Sequence, residues 1–211
     1  MPTQPNLNKG TLILLAPNAT EPAVSSKNVY FAFQYNPEKL LHTFNPPEKN
    51  IESQCPALEY FYLTFELDSI EIDASPQTKT PTQFGLHPAL AMLESMTQPQ
   101  EGSSQTALPI ALFRWGEKRL VPVSVVSMSV EEKSFDLVLN PTRAAVSLTL
   151  KVLSAKEVDN NQAARKIFQT HQNDRKSLIE IYKSQTGQAP TSTGPTGAAA
   201  ASASIGKKIS A

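Results

Sequence analysis

The sequence predicts a mainly β protein of the α+β class: a β-sheet domain with one short helix lying on the sheet and a C-terminal helix. Three observations carry this. Tyr60–Ile72 (YFYLTFELDSIEI) alternates apolar and polar residues at the period of two that a half-buried strand requires. In Ala107–Leu153, two β-branched runs meet at Trp115-Gly116 and a third returns after Asn140-Pro141. Only two segments, near residues 87–96 and 162–184, join good helix formers to a helical recurrence of apolar positions. The chain divides accordingly into a polar N-terminal arm (1–10), a β domain (11–155), a C-terminal helical segment (156–186) and a Gly/Ala/Ser-rich tail (187–211). The tail holds too little apolar surface to offset the entropy of ordering, so it is expected to be disordered.

Taken in order, Thr11–Ala16 (TLILLA) is an apolar run of strand length, and Pro17–Lys27 is a loop rich in turn formers. Val29–Tyr35 alternates with aromatic weight on both faces, and Asn36-Pro37 stops it because proline has no ladder donor. Glu38–Pro56 reads as a meandering connection, broken by Pro46-Pro47. In Tyr60–Ile72 the residues Phe61, Leu63, Phe65 and Leu67 share a face. The shift of phase to Ile70 and Ile72 predicts a bulge near Asp68-Ser69 or burial of that end on both sides. A proline- and threonine-rich linker, Ser75–Phe84, precedes a helix over His87–Met96 with Leu86, Leu90 and Leu93 along one stripe. After the Thr97–Thr106 loop, Leu108–Trp115 and Leu120–Val130 form a hairpin across Gly116-Glu117-Lys118. Pro122 inside its second strand predicts an edge position or a bulge. Arg143–Leu153 places Val146, Leu148, Leu150 and Val152 inward and the small hydrophilic set Ala145, Ser147, Thr149 and Lys151 outward, as on a wet sheet face. Asp159-Asn160 is the expected cap of the last helix. Its thin apolar stripe, Ala164, Phe168, His171, Leu178 and Tyr182, suits docking on a partner or on the domain edge.

Bulk chemistry excludes several classes. Nineteen basic residues balance nineteen acidic ones. Net charge zero without a basic patch argues against nucleic acid or an anionic membrane as partner. The one cysteine, Cys55, cannot form an intramolecular disulfide, and a reducing compartment fits. The first residues lack a charged segment followed by a long apolar one, and Leu12–Ala16 is far too short to span a bilayer. A cytoplasmic protein without direct membrane insertion is expected.

No catalytic, cofactor or metal constellation emerges. His42, His87 and His171 are scattered and lack metal-ligand spacing with Cys55. Gly206-Lys207-Lys208 resembles the end of a phosphate loop, but Ala201 stands where the upstream glycine belongs. No nucleophile elbow occurs. Glu131-Glu132 with Lys133 reads as a solvated strand end, and Cys55 beside Pro56 has no activating charge. Trp115 is either an interface anchor or a tryptophan packed at a hairpin end, and the packed reading is preferred. The expectation is a non-enzymatic protein with no cofactor.

Several motifs occur in a fixed order. They are Phe33-Gln34-Tyr35-Asn36-Pro37-Glu38, then Phe113-Arg114-Trp115-Gly116, then Leu139-Asn140-Pro141-Thr142-Arg143-Ala144-Ala145-Val146, with Pro122–Val130 and Phe135 between the last two. Together they resemble the tube and baseplate-adaptor proteins of contractile injection systems, the phage-tail-like machines. The similarity covers roughly residues 10–155. It implies a tail-tube-like fold, an antiparallel β-sandwich or partial barrel with a flanking helix, and rings of six copies in which strands of neighbouring copies continue one large barrel around a channel. It also implies the inner-tube protein and the spike and baseplate proteins as partners, within an injection particle that is either membrane-anchored or released. Phe33, Asn36, Pro37, Trp115, Gly116, Asn140, Pro141 and Arg143 are the motif residues that the resemblance makes assembly candidates. Adaptor members often carry a C-terminal LysM-type module. Here the 162–184 helix and the low-complexity tail occupy that place, so a plainer inner-tube or tube-end role stays open beside the adaptor role. A small-ligand-binding β-barrel is the alternative from a different class.

Overall fold

The computed structural model describes residues 9–17, 19–21, 29–46, 57–69, 84–99 and 108–186. Most of the N-terminal arm, Cys55, the linker before Phe84, most of the Thr97–Thr106 loop and the 187–211 tail lie outside the described residues. The chain forms two compact units, Met1–Asp174 and Arg175–Ala211. The first holds the sheet, and the described part of the second is the end of the last helix.

Seven strands, β1 (Thr11–Leu14), β2 (Val29–Ala32), β3 (Leu40–Asn45), β4 (Leu58–Asp68), β5 (Ala111–Trp115), β6 (Arg119–Phe135) and β7 (Pro141–Val152), are joined by helices α1 (His87–Ser95) and α2 (Gln162–Thr186). They make one antiparallel sheet in the order β2-β1-β5-β6-β7-β4-β3, which is not closed. The mainly β, α+β class is as the sequence predicts.

Alternation fixes the faces. Along β4 every second residue from Glu59 to Leu67 is buried, and along β7 Ala144, Val146, Leu148 and Leu150 are. With Phe31, Phe33, Phe113, Val121 and Val123 these make the main core, and α1 lays Leu90 and Leu93 on it. Phe33 and Phe65, with ring centroids 4.8 Å apart, sit at its centre, and Phe33 also meets the Trp115 ring edge-on at 6.3 Å. Each such fully buried side chain contributes roughly 1.5–3 kcal/mol. A second cluster forms on the opposite face over β1 and β5, where Ala163, Ala164 and Ile167 of α2 cover Ile13, Leu15, Leu112 and Leu153. Helices therefore cover both faces, but the second face only at its β1–β5 end.

Three sequence-based expectations are corrected. The Glu38–Pro56 connection contains β3, whose adjacent leucines Leu40 and Leu41 blur its alternation. The bulge or two-sided burial expected where the phase shifts to Ile70 and Ile72 is a separate matter, because β4 ends at Asp68 and those two residues lie outside the described residues. Pro122 sits in an interior strand, between β5 and β7. Its carbonyl accepts the Leu153 N–H at 3.0 Å, so its missing N–H falls at the last rung of β6–β7, where β7 leaves the sheet. The cap of α2 is Asn161 rather than Asp159-Asn160. Its Oδ1 accepts the Ala164 N–H at 3.0 Å, and its Nδ2 donates to the Ala16 carbonyl at 3.0 Å, tying helix to β1.

Asn161→Ala removes both links and should cost about 1–2 kcal/mol in denaturant unfolding, the upper part of the range for a helix cap. Gly85 and Gly116 both have positive φ, at 56° and 71°. A Cβ on Gly85 would collide with the Pro141 carbonyl oxygen, whereas one on Gly116 meets nothing within 4 Å. Gly116→Ala should therefore lose about 1–2 kcal/mol from the backbone alone, and Gly85→Ala distinctly more. Equal losses would contradict the contact.

Candidate assembly surface

The motif residues separate into two groups. Around Gly10, Phe33 is fully buried and its N–H bonds the Gly10 carbonyl at 3.0 Å, while the Asn36 Oδ1 accepts the Gly10 N–H at 2.8 Å. A Cβ on Gly10 would lie 2.6 Å from Phe33 and 2.8 Å from Trp115, so the chain passes tightly beneath both rings. Trp115 is partly buried and packed on the core, as the preferred reading holds. Pro37 is buried as well, and Gly116 makes the β5–β6 turn. At the far end of the sheet, Asn140 and Pro141 close the β6–β7 turn, and the Pro141 carbonyl accepts the Leu86 N–H at 2.8 Å, seating the start of α1. These residues hold the fold together. The surface available for assembly lies beside them.

That surface has two parts. The first is the uncovered portion of the second face, a hollow of about 1220 Å³ across β4, β7 and the outer half of β6. Tyr62, Thr64, Ser147 and Thr149 line it, as do Asn36, Pro37 and Arg143. The Thr64 and Ser147 hydroxyls bond at 2.9 Å. Lys133 Nζ bridges to Glu66 at 2.7 Å, and Arg143 lies 3.6 Å from Glu66 and 3.5 Å from Asp68, so charges on three strands nearly cancel. Tyr35, Leu41 and Tyr62 share this face with the hydroxyl and charged side chains. Among the described residues no three His, Cys, Asp or Glu side chains gather as a metal site. No helix among them is long and apolar enough to cross a membrane.

The second part is a pair of open strand edges. β6 pairs with β5 only over Arg119–Val123 but with β7 from Val123 to Phe135. Among the described residues, Val126–Phe135 therefore has a strand on one side only. On the other flank, among the same residues, β3 pairs with β4 alone. Among the described residues β6, β7, β4 and β3 thus form a four-stranded block with an unpaired edge on each side. Such edges template further strand pairing unless they are covered. Sequence reasoning named the hydrophilic face of β7 but neither edge. The length of β6 against the five residues of β5 was the available signal.

The β6–β7 turn is built by Asp136. Its Oδ1 accepts the N–H groups of Val138 (2.9 Å) and Asn140 (2.8 Å), and its Oδ2 accepts the Asn140 side-chain amide at 2.8 Å. Desolvation pushes its pKa up, but these bonds, the Asn140 side chain foremost, outweigh that and hold the carboxyl below its ordinary value. Lys133, through its hydrogen bond and charge, likewise lowers Glu66. Leu139 adopts φ 66°, the one positive φ outside glycine among the described residues, at a cost of roughly 1–2 kcal/mol.

No protein-family model matches the chain, and no curated protein matches it. The resemblance to injection-system tube proteins rests on the motifs themselves.

Carboxyls with depressed pKa values stabilise the fold fully above the ordinary carboxylate pKa of about 4, and that stability is lost as pH falls through their lowered values. Thermal midpoints should be level from pH 7 to about 5 and fall below about 4. Asp136→Ala should melt lower at pH 7, with its gap to the wild type narrowing as the pH drops below about 4. A gap constant down to pH 2 would contradict the turn's dependence on the ionised carboxyl.

Proposed function

We propose that the protein is a structural ring component of a contractile injection system, the adaptor between the inner tube and the spike and baseplate. An inner-tube or tube-end role in the same machine is the close alternative. The carrying observation is the four-stranded block with one open edge on β6 and the other on β3. Addition of β3 from one copy to the free edge of β6 on the next is a head-to-tail contact, and such contacts generate rings where the rotation closes. Six copies contributing four strands each would line a barrel of about 24 strands, past the ~16 at which barrels leave an aqueous channel. The hydrophilic face of β4, β6 and β7 suits the wall of such a channel, and the motif residues suit the support behind it. The open sheet fits this better than a closed cup for a small ligand. The role is architectural, with no cofactor or nucleic acid, and its partners are further copies, the inner-tube protein, and the spike and baseplate proteins.

Negative-stain microscopy of the purified chain should show six-fold rings with a central opening. Proline scanning of Ser129 and Val130 tests the edge, because adjacent strand residues direct their N–H groups to opposite neighbours. One substitution should lower the melting temperature by breaking a β7 bond. The other should abolish rings with little change in melting. A stable monomer that binds a small apolar ligand would refute the assembly reading.

A further inference from the structure

The open side of β6 is not an even row of donors and acceptors. Its ladder with β7 changes register between Val125 and Ser127, between Glu132 and Ser134, and between Ser134 and Phe135. Val126 is the extra residue at the first of these, half exposed and just past Val123, where pairing with β5 ends. Lys133 is the extra residue at the second, its Nζ drawn to Glu66 of β4 at 2.7 Å. Between the two run unbroken pairs, from Ser127–Thr149 to Glu132–Ala144. Where two residues oppose one, the strand bends and its twist sharpens. A neighbour's evenly spaced groups therefore lose step with β6 at Val126 and again at Lys133.

We infer that these two bulges serve the edge rather than the fold. They reduce the open run of β6 to the window Ser127–Glu132, which accepts a short strand and turns away a long flat one. β3, the edge strand on the far side of the same block, is six residues long, Leu40–Asn45, and spans that window from end to end. Strand directions agree as well. β6 and β4 run one way, β7 and β3 the other, and a ring rotation keeps those directions, so β3 of the next copy arrives antiparallel to β6. The harmful occupant is β6 of a second free copy, since two long bare edges that pair template further sheet. A second β6 does not end with the window. It runs on into the bulges of both copies, where the ladder splays. The inference rests on the ring reading only for whose strand fills the window; the guard against β6–β6 pairing stands without it.

The test uses the full chain, followed by sedimentation velocity, negative-stain microscopy and thermal melting over a concentration series. Deleting Val126 makes Val125–Leu150 and Ser127–Thr149 consecutive pairs and leaves the later pairs as they are. Deleting Lys133 joins Glu132–Ala144 to Ser134–Arg143 at the loss of one exposed ion pair, which is worth little. Each deletion should melt level with the wild type, yet form irregular sheet aggregates at a tenth or less of the protein concentration that the wild type needs. Proline at Ser129 or Val130, whichever directs its N–H away from β7, should remove those aggregates when added to either deletion. Aggregates born of a damaged core would gain nothing from that proline. Deletions that melt lower than the wild type, that aggregate no sooner, or whose aggregates survive the proline would overturn the guard and leave six-fold rings as the separate test of the ring reading. Aggregation with rescue, in a protein whose wild type forms no rings, would support the guard and remove the ring reading.

Discussion

The structure depends on β6, a seventeen-residue strand whose two neighbours differ in length. Its first five residues pair with β5 and nearly all the rest pairs with β7, so β6 alone joins the β2-β1-β5 group to the β7-β4-β3 group. Backbone hydrogen bonding sets the consequence. Where β5 ends, β6 continues with one side bonded and the other open, and an open run of N–H and C=O groups invites a strand. The register shift between Val125 and Ser127 falls just beyond the end of β5 and re-phases the strand there.

The two faces of the sheet follow from the same arrangement. The main core is continuous beneath all the strands and α1. Among the described residues, the opposite face is covered only where α2 reaches, over β1, β5 and the start of β6. Beyond that cover its side chains are largely serine, threonine and mutually neutralised charges, with Leu41 and Tyr62 exposed among them.

The motif residues act one level below this surface. Phe33, Asn36 and Trp115 close tightly around Gly10, and Pro141 anchors the start of α1, so the motifs preserve the frame that presents the edges. Arg143 belongs to both levels, since it closes the ion network at the rim of the hollow.

The sequence by itself determined the strands with clean alternation, β4 and β7, the Trp115-Gly116 hairpin, both helices and the mainly β class. In each of these the local period or turn chemistry agrees with the final packing. It misread β3, where adjacent leucines hide the alternation, and Pro122, whose missing donor matters only relative to where β7 ends. It placed the α2 cap one or two residues early, because Asn161 is fixed by bonds to Ala16, distant in sequence. The strand order, the two open edges and the polar hollow came only from the tertiary structure. Each is a relation between segments far apart in the chain, and hydrophobic period records which face a residue takes, not which strand lies beside it.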